Sequence, residues 1–259
     1  MPDVPDRAAR HIVTGAEYVE QITARESDRR ARAAFRDLVL SIAQPGATVF
    51  DFGCGTGMDT RFYAERGLRV LAYDVDRQMG EFFRAHCRDL IEAGRVTLAC
   101  GPYPDFLERA AGTDPPVDLV TANFAPLNLI DNLQALFAKF HALTAPNGRV
   151  LASVLSPYFV SDLRYYWWWR NLLPLLRTGR YSVAGSQGPI FRRQLSDFAA
   201  QSAPYFLLQR VFRGLPAHSS REARGIDLGG GARGAWLHLT TCRFMFLLFV
   251  RRAGNDIAQ

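Results

Sequence analysis

Val49-Phe50-Asp51-Phe52-Gly53-Cys54-Gly55-Thr56-Gly57 is the stretch on which the reading of this chain turns. Residues 47–52 form a short apolar run that fits a buried parallel strand, and the glycines after it let the backbone bend sharply and lie against a ligand. Helical spacing begins at residue 58, so the turn also presents free N–H groups at a helix start, suited to a carboxylate or phosphate. A second strand-like run, 68–73, leads into Asp74. A carboxylate at such a strand tip can accept both hydroxyl protons of a ribose, which makes this an adenosine-binding geometry.

Two cofactor classes use that geometry. The dinucleotide fingerprint requires G-x-G-x-x-G, and the third glycine position is Met58 here. Asp51 stands just before the glycines, where it would repel a pyrophosphate and favour a cationic ligand, directly or through water. The motif resembles the first motif of class I S-adenosylmethionine-dependent methyltransferases, (V/L)-(L/F)-D-(L/F)-G-C-G-T-G. That resemblance implies S-adenosylmethionine as cofactor, with Asp51, Gly53 and Gly55 around its methionine part, Cys54 within the turn, and Asp74 on the ribose. It also implies Val75 and Met79 beside the adenine, although Met79 at helical spacing fits a core position equally well. Many relatives carry an Asp for the adenine amino group after the third strand; this chain has Gly101-Pro102-Tyr103, which leaves the Tyr103 backbone as a substitute. Residues 118–128, ending Asn123-Phe124-Ala125-Pro126-Leu127-Asn128, are similar to the S-N-F-G-x-L-N form of small-molecule methyltransferases. Asn123 and Phe124 are expected to border the transferred methyl and Asn128 the acceptor; a turn or helix-capping role for both Asn side chains fits as well.

Strand and helix patterns alternate through the chain. Helices are expected at 8–21 and 27–42, then strand 47–52, helix 57–67, strand 69–73, helix 77–93, strand 95–100, a short helix at 104–110, strand 117–122, helix 129–143 and strand 149–155. That alternation means an α/β fold with a doubly wound, Rossmann-like, mostly parallel sheet. Its ligand site is expected beyond the carboxyl ends of the strands, at the switch in strand order. After Pro157 come an aromatic helix at 160–176, turn and strand at 181–193, a helix at 195–203, and two strands at 205–212 and 240–251. By resemblance these two form a C-terminal antiparallel pair. One methyltransferase domain over 1–259 is expected, with an N-terminal helical lid at 1–43, a cofactor-binding core at 44–156, a substrate-side insertion at 157–239, and the last strand and tail at 240–259.

Composition narrows the setting. The four cysteines, at 54, 87, 100 and 242, have no metal-ligand spacing, so no metal is expected. Residues 1–10 are polar and charged, unlike a signal peptide, and the apolar run 244–250 is too short to span a bilayer, so a cytoplasmic protein with no transmembrane segment is expected. The net charge of +6 is scattered and, apart from Lys139, carried by arginine; that disfavours a nucleic-acid substrate and leaves a small-molecule acceptor.

Methyl transfer from a sulfonium is an in-line displacement, for which positioning and water exclusion matter most and a base is optional. His11 and His218, in segments able to fold over the site, are the histidine candidates for a base; His238 precedes the last strand, and His86 and His141 lie on helices flanking the sheet. Tyr18 is a candidate for covering the cofactor or touching the acceptor, with packing on the sheet as the alternative. Arg25 and Arg30 could meet the cofactor carboxylate or form a solvated face. Tyr165-Tyr166-Trp167-Trp168-Trp169 covers more than a full helical turn with aromatics, and part of it must face a pocket, a partner or a membrane. Tyr165, Trp168 and Trp169 are the candidates for an acceptor wall, which suits an aromatic or apolar metabolite; lid core and a homodimer contact are the alternatives. The expected activity is methyl transfer to O or N, less readily to C. A non-catalytic methyltransferase-like binding module and a nucleotide-dependent oxidoreductase are the competing classes.

Overall fold

Strand β1 (Thr48–Phe52) is buried at all five positions, because parallel partners flank it and helices cover both faces. It pairs with β2 (Arg69–Asp74) on one side and β4 (Val117–Ala122) on the other, both parallel. β3 (Val96–Cys100) extends the sheet beyond β2, and β5 (Thr144–Leu155) beyond β4. The strand order therefore reverses at β1. The computed structural model describes residues 25–109, 116–185, 188–212, 226–227 and 240–252.

The sheet is completed by β8 (Phe206–Phe212) and β10 (Phe244–Arg251), after a separate hairpin of β6 (Arg180–Gly185) and β7 (Gly188–Arg193). β10 runs antiparallel to both β5 and β8 and lies between them, giving the order β3-β2-β1-β4-β5-β10-β8-β9. This is the expected mostly parallel sheet with an antiparallel pair. The two-residue β9 (Ile226–Asp227), paired with β8 at the edge, is an addition that the sequence pattern did not signal.

Side chains alternate between the faces along each strand, as the pleat requires. On one face, Val49 joins Phe35 and Val39 of α1 (Glu26–Ile42), Tyr63 of α2 (Met58–Glu65) and Phe83 of α3 (Arg77–His86). On the other, Phe50 and Phe52 join Phe106 of α5 (Tyr103–Glu108), after the short α4 (Arg88–Glu92), together with Phe137 and Phe140 of α6 (Leu133–Leu143). β10 sends Phe246 and Leu248 to the first layer and Leu247 and Phe249 to the second. Both faces are covered, which explains its unbroken apolar sequence.

Several boundaries differ from the sequence expectation. The helix expected over 77–93 divides at Cys87, whose buried thiol points to the Gly57 carbonyl at 3.7 Å. The one expected over 129–143 is a 3-10 turn, Pro126–Leu129, followed by α6, which starts where the Asn132 side chain accepts the Ala135 N–H at 3.0 Å. β5 begins five residues earlier than position 149, with a register shift against β4. The aromatic segment divides into a 3-10 turn, Val160–Arg164, and α7 (Tyr166–Thr178); α8 (Leu195–Ser202) follows the hairpin.

Candidate functional site

The start of the glycine turn is fastened to the neighbouring strand by main-chain bonds. The Gly53 and Cys54 N–H groups both donate to the Tyr73 carbonyl, at 2.8 and 3.1 Å. Gly53 adopts φ +72°, and a Cβ there would stand 2.8 Å from the Pro126 side chain. Only glycine fits that place without displacing its neighbour.

Asp74 is held at the tip of β2 by two backbone donors, Gly55 N–H to Oδ2 at 2.7 Å and Asp76 N–H to Oδ1 at 2.9 Å. Burial raises its pKa above the usual carboxylate value, and the backbone donors oppose that shift. Each oxygen keeps acceptor capacity after one such bond. Asp76 in turn starts α3 by accepting the Gln78 and Met79 N–H groups. Asp74 opens onto a cleft of about 200 Å³ lined also by Gly53, Gly55, Val75, Met79, Tyr103, Asn123 and Phe124. Burial pushes the Tyr103 phenol up, and its hydroxyl is enclosed without a hydrogen-bond partner among the described residues.

A smaller compartment adjoins this cleft across Gly53, Gly55, Asn123 and Phe124, and Arg32, Cys54 and Asp59 complete its wall. Arg32 Nη1 donates to Asp59 Oδ2 at 2.6 Å, Arg36 Nε to Asp59 Oδ1 at 2.6 Å, and Asn123 Nδ2 to Asp59 Oδ2 at 3.0 Å. The Arg32 guanidinium lies over the Phe124 ring, 4.4 Å from its centroid. Burial and the nearby Asp51 and Asp74 carboxylates hold the Cys54 thiol well above its ordinary value, which disfavours the thiolate.

Phe124 and Ala125 both have positive φ, 61° and 66°. Left-handed backbone at consecutive non-glycine residues costs roughly 1–3 kcal/mol each and persists only when its surroundings fix it. Here the Phe124 N–H donates to Ser153 Oγ at 2.7 Å and the Ala125 N–H to the Ser153 carbonyl at 3.0 Å.

The structure redistributes several of the expected roles. Asp51 lines neither compartment: it is buried behind the turn, where its oxygens accept Thr60 Oγ1 at 2.6 Å and Thr121 Oγ1 at 3.1 Å. Burial, with Asp59 nearby, raises its pKa to about 7. Asn128 is fully buried and both ends of its amide are engaged, Nδ2 with the Phe191 carbonyl at 2.6 Å and Oδ1 with the Leu155 N–H at 3.0 Å. It ties β5 to β7 instead of meeting an acceptor. Trp168 is 4% exposed, packs with Tyr158, Leu175 and Tyr181, and donates from Nε1 to the Pro157 carbonyl at 2.8 Å. It is the core of the helix–hairpin unit, not a wall of the cleft. Tyr165 and Trp169 are exposed and also line neither compartment. Arg25 is exposed, and Arg30 pairs with Glu26 on the solvent side of α1. His11, Tyr18, His218 and His238 lie outside the described residues.

Sequence reasoning missed the Arg32–Asp59–Asn123 group; Arg32 differs from Arg25 and Arg30 only in falling on the buried stripe of α1 with Phe35 and Val39. It also missed Arg192 and Arg193, buried on β7. Arg193 Nη1 bonds Asp197 at 2.6 Å and its Nη2 the Ile130 and Asp131 carbonyls, while Arg192 Nη1 bonds the Ser156 carbonyl at 2.6 Å.

The residues present fit S-adenosylmethionine. Asp74 has acceptor capacity for two ribose hydroxyls, Tyr103 lines the same cleft, and the polar compartment with Arg32 adjoins it on the far side of the glycines.

Residues 49–148 match the family described as "Methyltransferase domain". A malonyl-[acyl-carrier protein] O-methyltransferase of Hamiltonella defensa subsp. Acyrthosiphon pisum is 29% identical over 119 residues, 46% of this chain and 42% of the relative. One of Pectobacterium atrosepticum is 28% identical over 147 residues, 56% of this chain and 53% of the relative. The chain thus spans about half the length of the curated relatives it matches. Among solved structures, a TehB-like SAM-dependent methyltransferase from Corynebacterium glutamicum superimposes with a TM-score of 0.55 at 14% identity, covering 92% of this chain and 98% of that one. With its glycine turn, the aspartate at the tip of β2 and the strand order, the matched region is a methyltransferase domain of the class I, S-adenosylmethionine-dependent type.

Proposed function

We propose that this protein is an enzyme that transfers the methyl group of S-adenosylmethionine to an oxygen of a small-molecule acceptor. The observation that carries this reading is the two-ended cleft, with Asp74 fixed by the Gly55 and Asp76 N–H groups at one end and Arg32 with Asn123 at the other. In this assignment Asp74 accepts the ribose hydroxyls, Val75 and Met79 flank the adenine, and Tyr103 stands beside that ring. Arg32 attracts the cofactor carboxylate, while Asn123 and Phe124 border the methyl. The bound cofactor supplies an electrophilic methyl on a sulfonium. An acceptor oxygen lone pair forms the new O–C bond as the C–S bond breaks, leaving a neutral thioether.

Oxygen is favoured as acceptor because the curated relatives named above are O-methyltransferases. A carboxylate acceptor arrives already ionised and needs no proton acceptor. A hydroxyl acceptor needs one, and His11, Tyr18 and His218 remain the candidates. The protein's own residues then chiefly hold the two reactants in line.

The test is calorimetric titration with S-adenosylmethionine and S-adenosylhomocysteine, followed by labelled-methyl transfer to panels of small carboxylic acids and phenols. Binding of both ligands and base-labile ester product from the acids is the expected result. Binding without transfer to either panel favours the non-catalytic module. Stabilisation by nicotinamide cofactors alone would sink the reading in favour of an oxidoreductase.

A further inference from the structure

Among the described residues, α7 has one buried side and one side without a partner. Trp168 and Leu175 point into the helix–hairpin core, whereas Tyr166, Trp169, Leu173 and Leu176 are 81%, 56%, 53% and 50% exposed. Their spacing of three, four and three residues places them on a single stripe. Arg170 and Arg177 border that stripe and Arg164 stands just before the helix, all exposed, with no ion pair among the described residues. Residues 163–180 include four arginines and no acidic residue. Trp169 is held in place at the surface, donating from Nε1 to the Leu163 carbonyl at 2.8 Å.

We propose that this face of α7 docks in the plane of an anionic lipid bilayer. Tyr, Trp and Leu with an arginine border are what a helix lying at the headgroup boundary needs: apolar side chains enter the acyl region and guanidinium groups meet lipid phosphates. Thirteen residues extend about 20 Å, too short to cross a bilayer and long enough to lie along it. A second copy of this chain is the poorer occupant, since arginines would meet arginines across a two-fold axis, and a stable dimer buries about 800 Å² per partner, more than one helix stripe supplies. The face lines neither compartment of the cleft, so docking is separate from cofactor binding.

Co-sedimentation of the full chain with vesicles tests this. Binding is expected to phosphatidylcholine vesicles containing phosphatidylglycerol, and to fall on addition of salt or when the anionic lipid is omitted. Leu173→Asp should reduce the partition coefficient at least tenfold, and Arg170→Gln with Arg177→Gln roughly twenty-fivefold, at about fivefold per arginine. Because these positions are exposed, melting temperature and S-adenosylhomocysteine binding should remain as in the parent. Failure to sediment with anionic vesicles overturns the proposal, as does sedimentation that Leu173→Asp leaves unchanged. Dimerisation abolished by Leu173→Asp without vesicle binding would assign the face to a second copy. Equal retention on polyglutamate, insensitive to Leu173→Asp, would assign the arginines to an acidic soluble partner.

Discussion

From β1 to β4, the cleft is shaped mainly by main chain: Tyr73 carbonyl to Gly53 and Cys54, Gly55 and Asp76 N–H to Asp74, and two left-handed residues after Ala122. From Pro157 to Arg193, order comes from side chains reaching across distant segments: Trp168 to Pro157, Arg192 to Ser156, Arg193 to Ile130, with Asn128 reaching in to Phe191. Main-chain geometry demands particular residues at particular spacings. Long-range side-chain clamps demand only a partner that folding brings near.

The difference can be challenged most strongly at Trp168. Replacing it with Ala should cost about 3–5 kcal/mol of stability through an unfilled core, with the S-adenosylhomocysteine dissociation constant nearly unchanged. Urea unfolding and titration calorimetry measure the two separately. Weakened cofactor binding at full stability would move this residue to the cleft and erase the contrast.

Asp74→Ala should do the reverse, weakening cofactor binding by about 1–3 kcal/mol through lost hydroxyl bonds. An unchanged dissociation constant would show that the ribose lies elsewhere.

Asp51 gives a pH test. Its pKa is raised in the folded protein to about 7, so between the unfolded carboxylate value and that point the native state holds a proton that the unfolded chain has lost. Stability should therefore decline as pH rises through that window, by about 1.4 kcal/mol per pH unit at most from this group, and level off above it. Asp51→Asn should flatten the decline in a series of thermal melts. An identical slope in the variant would trace the titration to another group.

The smallest effect is expected at Tyr103. Tyr103→Phe removes an enclosed hydroxyl that lacks a partner among the described residues, so apo stability should change by less than about 1 kcal/mol and cofactor affinity should stay as in the parent. A drop in affinity would place the hydroxyl against the adenine.

The same contrast explains what could be read from the sequence. Gly53, Gly55 and Asp74 line the cleft because a tight turn and a strand tip admit few residue types, and Cys54, Val75, Met79, Tyr103, Asn123 and Phe124 follow them into its two compartments. Asp51 was misplaced because strand alternation turns it toward Thr60 and Thr121, and a motif alone carries no such direction. Arg32 was overlooked among many arginines, since only the packing of α1 distinguishes it from Arg30. The doubly wound, mostly parallel sheet followed from alternating strand and helix patterns, whereas the aromatic run was ambiguous: Trp168 and Trp169 are adjacent in sequence and occupy opposite environments.

The position of β10 bears on how the protein is made. This strand lies between β5 and β8, yet it follows both in the chain. As the polypeptide leaves the ribosome, β1 to β5 and their helices can assemble while β5 still exposes an edge and β8 has no route into the sheet. Both must wait for the stretch Phe244–Arg251, among the most aggregation-prone in the sequence and the one that lies farthest along it. Interrupted synthesis would thus release a protein with its cofactor strands in place and an open edge, a natural client for chaperones.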